Sequence, residues 1–270
     1  MITKNSPWVT FRLIVLPALA LTIGLVACGG EQDPSTDDSP YDDWEHIQRG
    51  NVKLYYAPGH PHEKDLPQLT EGYASALRKI CRELDMAVPA ETLLVYHYTG
   101  PGHGVDLTGA RWPFVSDTVI HYWQPGYLGA TLTEYVLTRL SLTKTRHAVL
   151  WRGLQTFFDF SGINHNETVW TLLESDRLPS LDSLGSMKHI DPQYDSRETA
   201  AAGSFVGFLH GSYGMAVIKQ LYQSVLPFEE AVVQVTGRTQ EQLQAEWHQA
   251  LRRWHQWQRQ QDSLEQVIEN

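Results

Sequence analysis

The chain has 270 residues, 42% of them hydrophobic, and 31 Asp and Glu stand against 21 Lys and Arg. This length supports one large or two small domains with a sizeable core. A formal charge of −10 without any basic stripe argues against nucleic acid as a partner. With only two cysteines, Cys28 and Cys81, the chain has no disulfide framework.

The first 27 residues have the features of a secretory signal. Lys4 and Arg12 supply positive charge, residues 13–25 are apolar, and small residues precede Cys28. This apolar stretch is too short and wrongly flanked for a stable membrane-spanning helix. We therefore predict a signal peptide over residues 1–27.

The sequence LVAC, followed by two glycines, resembles the lipobox of bacterial lipoproteins. The resemblance implies cleavage before Cys28, a lipid on its thiol and an acyl chain on the new amine. Several acyl chains give stable membrane anchoring where one is marginal. Gly29 is not acidic, so the resemblance favours the periplasmic face of the outer membrane in a Gram-negative cell. Cys81 then has no disulfide partner, and we expect it to be a small buried hydrophobe.

Residues 28–43 comprise the acylated cysteine and a polar, acidic stretch, GGEQDPSTDDSPYDD. This composition cannot bury enough apolar surface to order itself. We predict a flexible tether that its own charge keeps extended.

The folded part begins with strand patterns. Residues 52–59 alternate apolar and polar side chains up to a Pro-Gly turn, and residues 92–98 form a second predicted strand. A helical period covers 65–86 between them. The glycine-rich stretch 100–104 predicts a loop, and 112–123 one or two short strands.

From residue 128 the pattern is mostly helical. Strands followed by helices indicate an α+β fold rather than a parallel sheet. We predict one domain over 44–260, strand-rich in 44–126 and helical in 127–260, with a polar tail over 261–270. The predicted helices cover 128–142, 149–160, 199–210, 216–225, 228–235 and 240–260, with irregular structure over 168–194.

The helix containing TLTEYVLTRL holds Glu134 at the position where a zinc peptidase has the glutamate of His-Glu-x-x-His. Two histidines four residues apart share a helix face and can bind one Zn²⁺, while the glutamate takes a proton from the metal-bound water. Thr133 and Leu137 occupy the two histidine positions.

The segment VLWRGLQTFFDFSG, residues 149–162, resembles Trp-Leu-x-Glu-Gly-Leu-Ala-x-Tyr of the "peptidase MA-like" gluzincins. Residues 200–214 and 228–251 resemble later segments of that family, in the same order. The resemblance implies a thermolysin-like gluzincin scaffold in which Arg152 replaces the third zinc ligand.

All three ligand positions are therefore changed. Threonine is a poor zinc ligand, leucine is none, and arginine is a permanent cation that repels the metal. We predict no zinc, a vestigial Glu134 and no catalytic residues. We expect Arg152 to border the vacated position with Glu134 as its ion-pair partner, Thr133 to accept a further hydrogen bond, and Leu137 to fill the remaining volume.

The function that this implies is a membrane-anchored envelope lipoprotein with a non-catalytic pseudopeptidase domain that binds a peptide or protein partner. The alternatives are an active metal-dependent hydrolase with non-standard ligands, a purely structural envelope lipoprotein, and an ordinary helix in an unrelated fold. Ser204 is expected to be a packing residue. The candidates for another metal site are His60, His62 and Glu63, then His165 and Glu167, His121 and His147, and His248 and His255.

Overall fold

The computed structural model describes residues 39–123, 128–140, 145–191 and 196–269. Within these residues the chain is α+β, with a small N-terminal sheet followed by a mainly helical part, as predicted. Pro40–Asn270 form one compact unit. The predicted signal segment, Cys28 and the tether up to residue 38 lie outside the described residues.

The sheet has five strands in the order β1-β2-β3-β5-β4. The inner pairs β2/β3 and β3/β5 are parallel, whereas the edge strands β1 and β4 pair antiparallel with their neighbours. Parallel neighbours need a crossover, and α1 supplies the one between β2 and β3. The strands are β1 Glu45–Arg49, β2 Val52–Tyr56, β3 Leu93–His97, β4 Phe114–Ser116 and β5 Val119–Tyr122.

The helices cover one face of this sheet and then build the second half of the domain. None of the helices in the described part of the chain is long and apolar enough to cross a membrane. Helices α1 and α3 contact the sheet, while α4 and α7 make the most extensive helix–helix contact. The helices are α1 Leu66–Glu83, α2 Pro101–Thr108, α3 Leu128–Leu140, α4 Ala148–Phe157, α5 His165–Glu174, α6 Leu181–Ser186, α7 Arg197–Tyr213, α8 Met215–Gln223, α9 Phe228–Thr236 and α10 Gln240–Glu269.

The two faces of the sheet differ in their side chains. Strand side chains alternate between faces, and Leu54 and Val95 are fully buried on the helix-covered face. On the outer face four rings from neighbouring strands stack almost parallel, with centroids 4.6–5.7 Å apart. These outer rings belong to Tyr55, Tyr96, His121 and Phe114.

The predicted tether ends earlier than residue 43. The ring of Tyr41 lies 4.5 Å from that of Tyr96, and its hydroxyl is 3.0 Å from the hydroxyl of Tyr98. Trp44 contacts the same two tyrosines. Because these aromatic side chains have partners on β3, the last residues of the predicted tether belong to the folded domain.

Close helix packing depends on glycines at two contacts. A Cβ on Gly153 of α4 would lie 2.5 Å from the Ala202 carbonyl oxygen of α7. A Cβ on Gly129 of α3 would lie 1.7 Å from the Phe158 carbonyl oxygen, just after α4. Both distances are shorter than a real carbon–oxygen contact, so only glycine permits these backbones to meet.

The sequence-based assignment was wrong in five places. Parallel pairing was not expected, but β2, β3 and β5 pair in parallel, because helix α2, which lies between β3 and β5 in the chain, was not predicted. Strand β1 was missed because EHIQR lacks an apolar alternation. Helix α2 replaces the predicted loop, since Gly104 is used for close contact with Trp123 rather than for a turn. Helices α5 and α6 occur where irregular structure was predicted, because Ser, Asp and Gly were taken as breakers. Helix α10 continues to Glu269 through the predicted polar tail.

Candidate functional site

Helices α3 and α4, which carry the positions that resemble zinc ligands, are in contact. The Gly129 N–H at the start of α3 donates to the Asp159 carbonyl oxygen beyond the end of α4, at 3.2 Å. The start of one helix therefore lies at the end of the other, and the two helices are adjacent, as predicted.

Thr133 and Leu137 are both fully buried. The Thr133 hydroxyl donates to the Gly129 carbonyl oxygen one turn earlier in its own helix, at 2.7 Å. Threonine commonly makes this bond inside helices, so the hydroxyl proton is used within α3, while the oxygen can still accept a hydrogen bond. Leu137 belongs to the hydrophobic core, which agrees with the expectation that it fills volume with hydrocarbon.

The half-buried Glu134 carboxylate has a hydrogen-bond partner on α4 that the sequence did not indicate. Its Oε2 accepts from Gln155 Nε2 at 3.3 Å, and Gln155 is only 2% exposed. The direct ion pair expected between Glu134 and Arg152 stays a prediction. Gln155 follows Arg152 by three positions, so Arg152 lies on the same side of α4 as this partner of Glu134.

Arg152 itself is 7% exposed, which is unusual for an arginine. Tyr222 of α8 lies close to this region. Burial raises the pKa of the Tyr222 hydroxyl, and the negative charge of Glu134 raises it further. Tyr222 therefore stays protonated at neutral pH, so the phenol adds no second negative charge beside Glu134.

His60 and His97 form a buried pair at the carboxyl ends of β2 and β3. His60 Nε2 and His97 Nδ1 are 3.1 Å apart, and His60 Nδ1 accepts from the His62 backbone N–H. In the neutral tautomer that this bond requires, His60 donates to His97. The pKa of His97 falls to about 4 because burial, and then the nearby His60 and His62, disfavour its charged form.

The other candidate histidines are dispersed. His121 was expected to approach α3 and α4, but its side chain lies on the opposite face of the sheet, where the Tyr98 hydroxyl is 2.7 Å from its Nδ1. His147 is buried just before α4, and His255 stacks on Trp170 at 4.2 Å. In the described ranges, no three or more His, Cys, Asp or Glu residues are grouped so that they could hold a metal.

A cavity of about 490 Å³ lies near the C-terminal end of α4, and neither Glu134 nor Arg152 contributes to its lining. His165, for which the sequence suggested no partner, contacts Asp159 here, with Nε2 and Oδ2 2.9 Å apart. Ser204 was expected only to pack, but its hydroxyl donates to Asn166 Oδ1 at 2.8 Å. These contacts were not predicted, because they depend on how the loop after α4 returns to α7.

At the α3–α4 contact, the three positions that resemble zinc ligands hold a threonine, a leucine and an arginine. The Glu134 carboxylate of this contact is hydrogen-bonded to an amide. Among known proteins, the chain matches no protein-family model and no curated protein.

Proposed function

We propose that this protein is a lipid-anchored lipoprotein of the bacterial cell envelope, with a non-catalytic domain on a gluzincin-like, thermolysin-like scaffold. The domain binds a peptide or protein partner and performs no hydrolysis. The observation that carries the proposal is the α3–α4 contact, where the positions that resemble zinc ligands hold buried side chains of another kind.

Packing at that contact supports the loss of the metal. Thr133 directs its hydroxyl to its own helix, Leu137 is in the core, and Gln155 bonds to Glu134. A catalytic zinc site needs three protein ligands and an open position for water. Replacing all three ligands removes the Lewis acid that would activate water for Glu134.

The anchor follows from the resemblance of residues 25–28 to a lipobox. Lipid on Cys28 would keep the domain at the membrane, and the acidic segment after it would act as a spacer. Changing Cys28 to Ala should leave the protein unprocessed or unanchored. Retention of this variant with membranes after a high-salt wash would show that the apolar N-terminus is the anchor instead.

Metal analysis tests the loss of catalysis. Protein purified without added zinc should hold well below one metal ion per chain, show no peptidase activity, and keep its thermal midpoint when a chelator is added. Structural zinc contributes folding free energy directly, so a fall of several degrees with chelator would instead support a metal site built from other residues.

A restored ligand set tests the scaffold. The triple variant Thr133→His, Leu137→His, Arg152→Glu recreates the motif to which the sequence is similar. If the scaffold is gluzincin-like, the folded triple variant should bind zinc stoichiometrically, whereas the single Thr133→His control should not. A folded triple variant without zinc affinity would contradict the scaffold.

A further inference from the structure

The cavity near the end of α4 is separate from the altered zinc site. Its volume of about 490 Å³ falls in the range typical of small-ligand sites. Helix α1, the loop after α4, the start of α5 and the small-residue face of α7 enclose it. Gly207 on α7 leaves this space open because it has no side chain, whereas Gly203 allows α7 to pack closely against Thr156.

The carboxylate at the floor of the cavity, Asp159, already has partners within the protein. Asp159 Oδ2 contacts His165, and Oδ1 accepts from both the backbone N–H and the hydroxyl of Ser161, at 2.8 and 2.7 Å. Asn166 accepts from Ser204 through its Oδ1, so its NH₂ group is the part of the amide able to donate to a ligand.

The mouth of the cavity contains a lysine, Lys79, whose ammonium group lies over the aromatic ring of Phe160. Lys79 Nζ lies 4.8 Å from the centroid of Phe160, and among the described residues no carboxylate forms an ion pair with it. Glu83, the other acidic side chain at the mouth, is 4.0 Å from His210 Nε2. Glu83 also lies 3.8 Å from the Arg82 guanidinium, so both carboxylates of the lining have partners other than the lysine, which is left for an incoming anion.

Apolar side chains at the mouth are unusually exposed. Phe160 has φ +55° and is 40% exposed, although a bulky residue rarely adopts the left-handed region. Ile163 is 42% exposed beside it. Strained, exposed groups of this kind cluster at ligand sites, and here they place apolar surface around the lysine.

One further polar atom has no partner. The Thr156 hydroxyl is buried in the cavity wall, and no described residue forms a hydrogen bond with it. Buried hydroxyl groups are normally hydrogen-bonded. Because this hydroxyl exposes almost no surface to the cavity, it belongs to the wall and is not among the groups proposed to contact a ligand.

We propose that this cavity binds an amphipathic carboxylate, with its apolar body against Phe157, Phe160 and Ile163 and its carboxylate against Lys79 and the Asn166 NH₂ group. The C-terminal residue of a peptide and a free N-acyl amino acid share this chemistry. The proposal deepens the proposed function by naming the ligand chemistry, and it rests on that function only for the choice of a peptide as source.

The full-length protein in detergent is titrated by calorimetry with N-acetyl-phenylalanine and with its uncharged amide. The acid should bind about tenfold more tightly than the amide, because only the acid pairs with the lysine. Lys79→Met should weaken the acid about tenfold and leave the amide unchanged. Arg78→Met is the matched control, since Arg78 directly precedes Lys79 on α1 and pairs with Glu71 outside the lining.

A variant that fills the cavity tests ligand binding without changing any charge. A Cβ on Gly207 meets only Phe157, at 3.7 Å, so Gly207→Leu enters the cavity without a backbone clash and should abolish binding of both probes. Gly211→Leu, one turn later with open space around it, should change neither. Thermal unfolding confirms that both variants fold.

Equal affinity for acid and amide, no binding of either, or equal effects of the Lys79 and Arg78 changes would overturn the proposal. An acetylated tripeptide ending in Phe, tested beside the single residue, identifies the source: tighter binding indicates a peptide terminus, and weaker binding a free acyl amino acid. Zinc in the purified protein would refute the proposed function without altering the comparison of acid with amide.

Discussion

The α3–α4 contact and the carboxyl ends of β2 and β3 both enclose titratable side chains, but they do so in opposite ways. At α3–α4 a half-buried carboxylate, Glu134, is bound by the neutral amide of Gln155. At the strand ends the imidazoles of His60 and His97 are nearly inaccessible to water and bond to each other.

The difference lies in which charge state each region tolerates. A carboxylate that water still reaches can remain ionised when a neutral amide donates a hydrogen bond to it. Two imidazoles in contact away from water must stay neutral, because burial disfavours the charged form and each cation would repel the other. The stability of the α3–α4 contact should therefore depend on side-chain size, and that of the His60–His97 pair on pH.

The largest expected effect comes from the shape of the α3–α4 contact. Gly129→Ala would place a Cβ 1.7 Å from the Phe158 carbonyl oxygen. The helices would have to separate, at a cost of about 3 kcal/mol in the free energy of unfolding. Gly72→Ala in α1, which meets no atom within 4 Å, is the control and should be neutral or stabilising by about 0.5 kcal/mol. Urea denaturation gives both values, and equal stabilities would show that the contact is looser than described.

Low pH should destabilise the domain through the histidine pair at the ends of β2 and β3. His97 has a folded pKa of about 4 against an ordinary value of 6.5, so between these values the unfolded chain takes up a proton that the folded chain refuses. Stability is therefore complete above pH 6.5 and falls as the pH decreases towards 4. One pKa unit corresponds to about 1.4 kcal/mol, so the loss between pH 7 and pH 5 is about 2 kcal/mol.

Chemical denaturation across this pH range measures that loss. His97→Asn should flatten the profile between pH 7 and pH 5, whereas the exposed His189→Asn should keep the wild-type slope. If His97→Asn and wild type lose stability in parallel, the acid sensitivity originates in other groups.

The smallest effect is expected at the hydrogen bond between Glu134 and Gln155. Glu134→Ala and Gln155→Ala should each destabilise the domain, and the double variant should be milder than their sum by about 1 kcal/mol. A second cycle with Arg152→Ala measures whether the guanidinium also interacts with the carboxylate. Strict additivity in both cycles would leave Glu134 without an energetic role at this contact.

The order of elements and most helices could be predicted, because apolar period and strand alternation are local properties. The adjacency of α3 and α4 also followed from the sequence, through the resemblance of 131–140 and 149–162 to one motif. Gln155 as partner of Glu134 did not, because which α4 side chain reaches α3 depends on the rotation of both helices. The His60–His97 bond joins residues 37 positions apart, and no local pattern indicates such a pair.

The position of Tyr41 and Trp44 has a mechanical consequence. Both rings lie on Tyr96 and Tyr98, which belong to or directly follow β3, the central strand of the sheet. Tension applied to the chain before residue 41 would thus reach the middle of the sheet through these ring contacts before it loads the edge hairpin of β1 and β2. The contacts of Tyr41 and Trp44 would therefore have to break first, and strand β1 would separate from the sheet only at a higher pulling force.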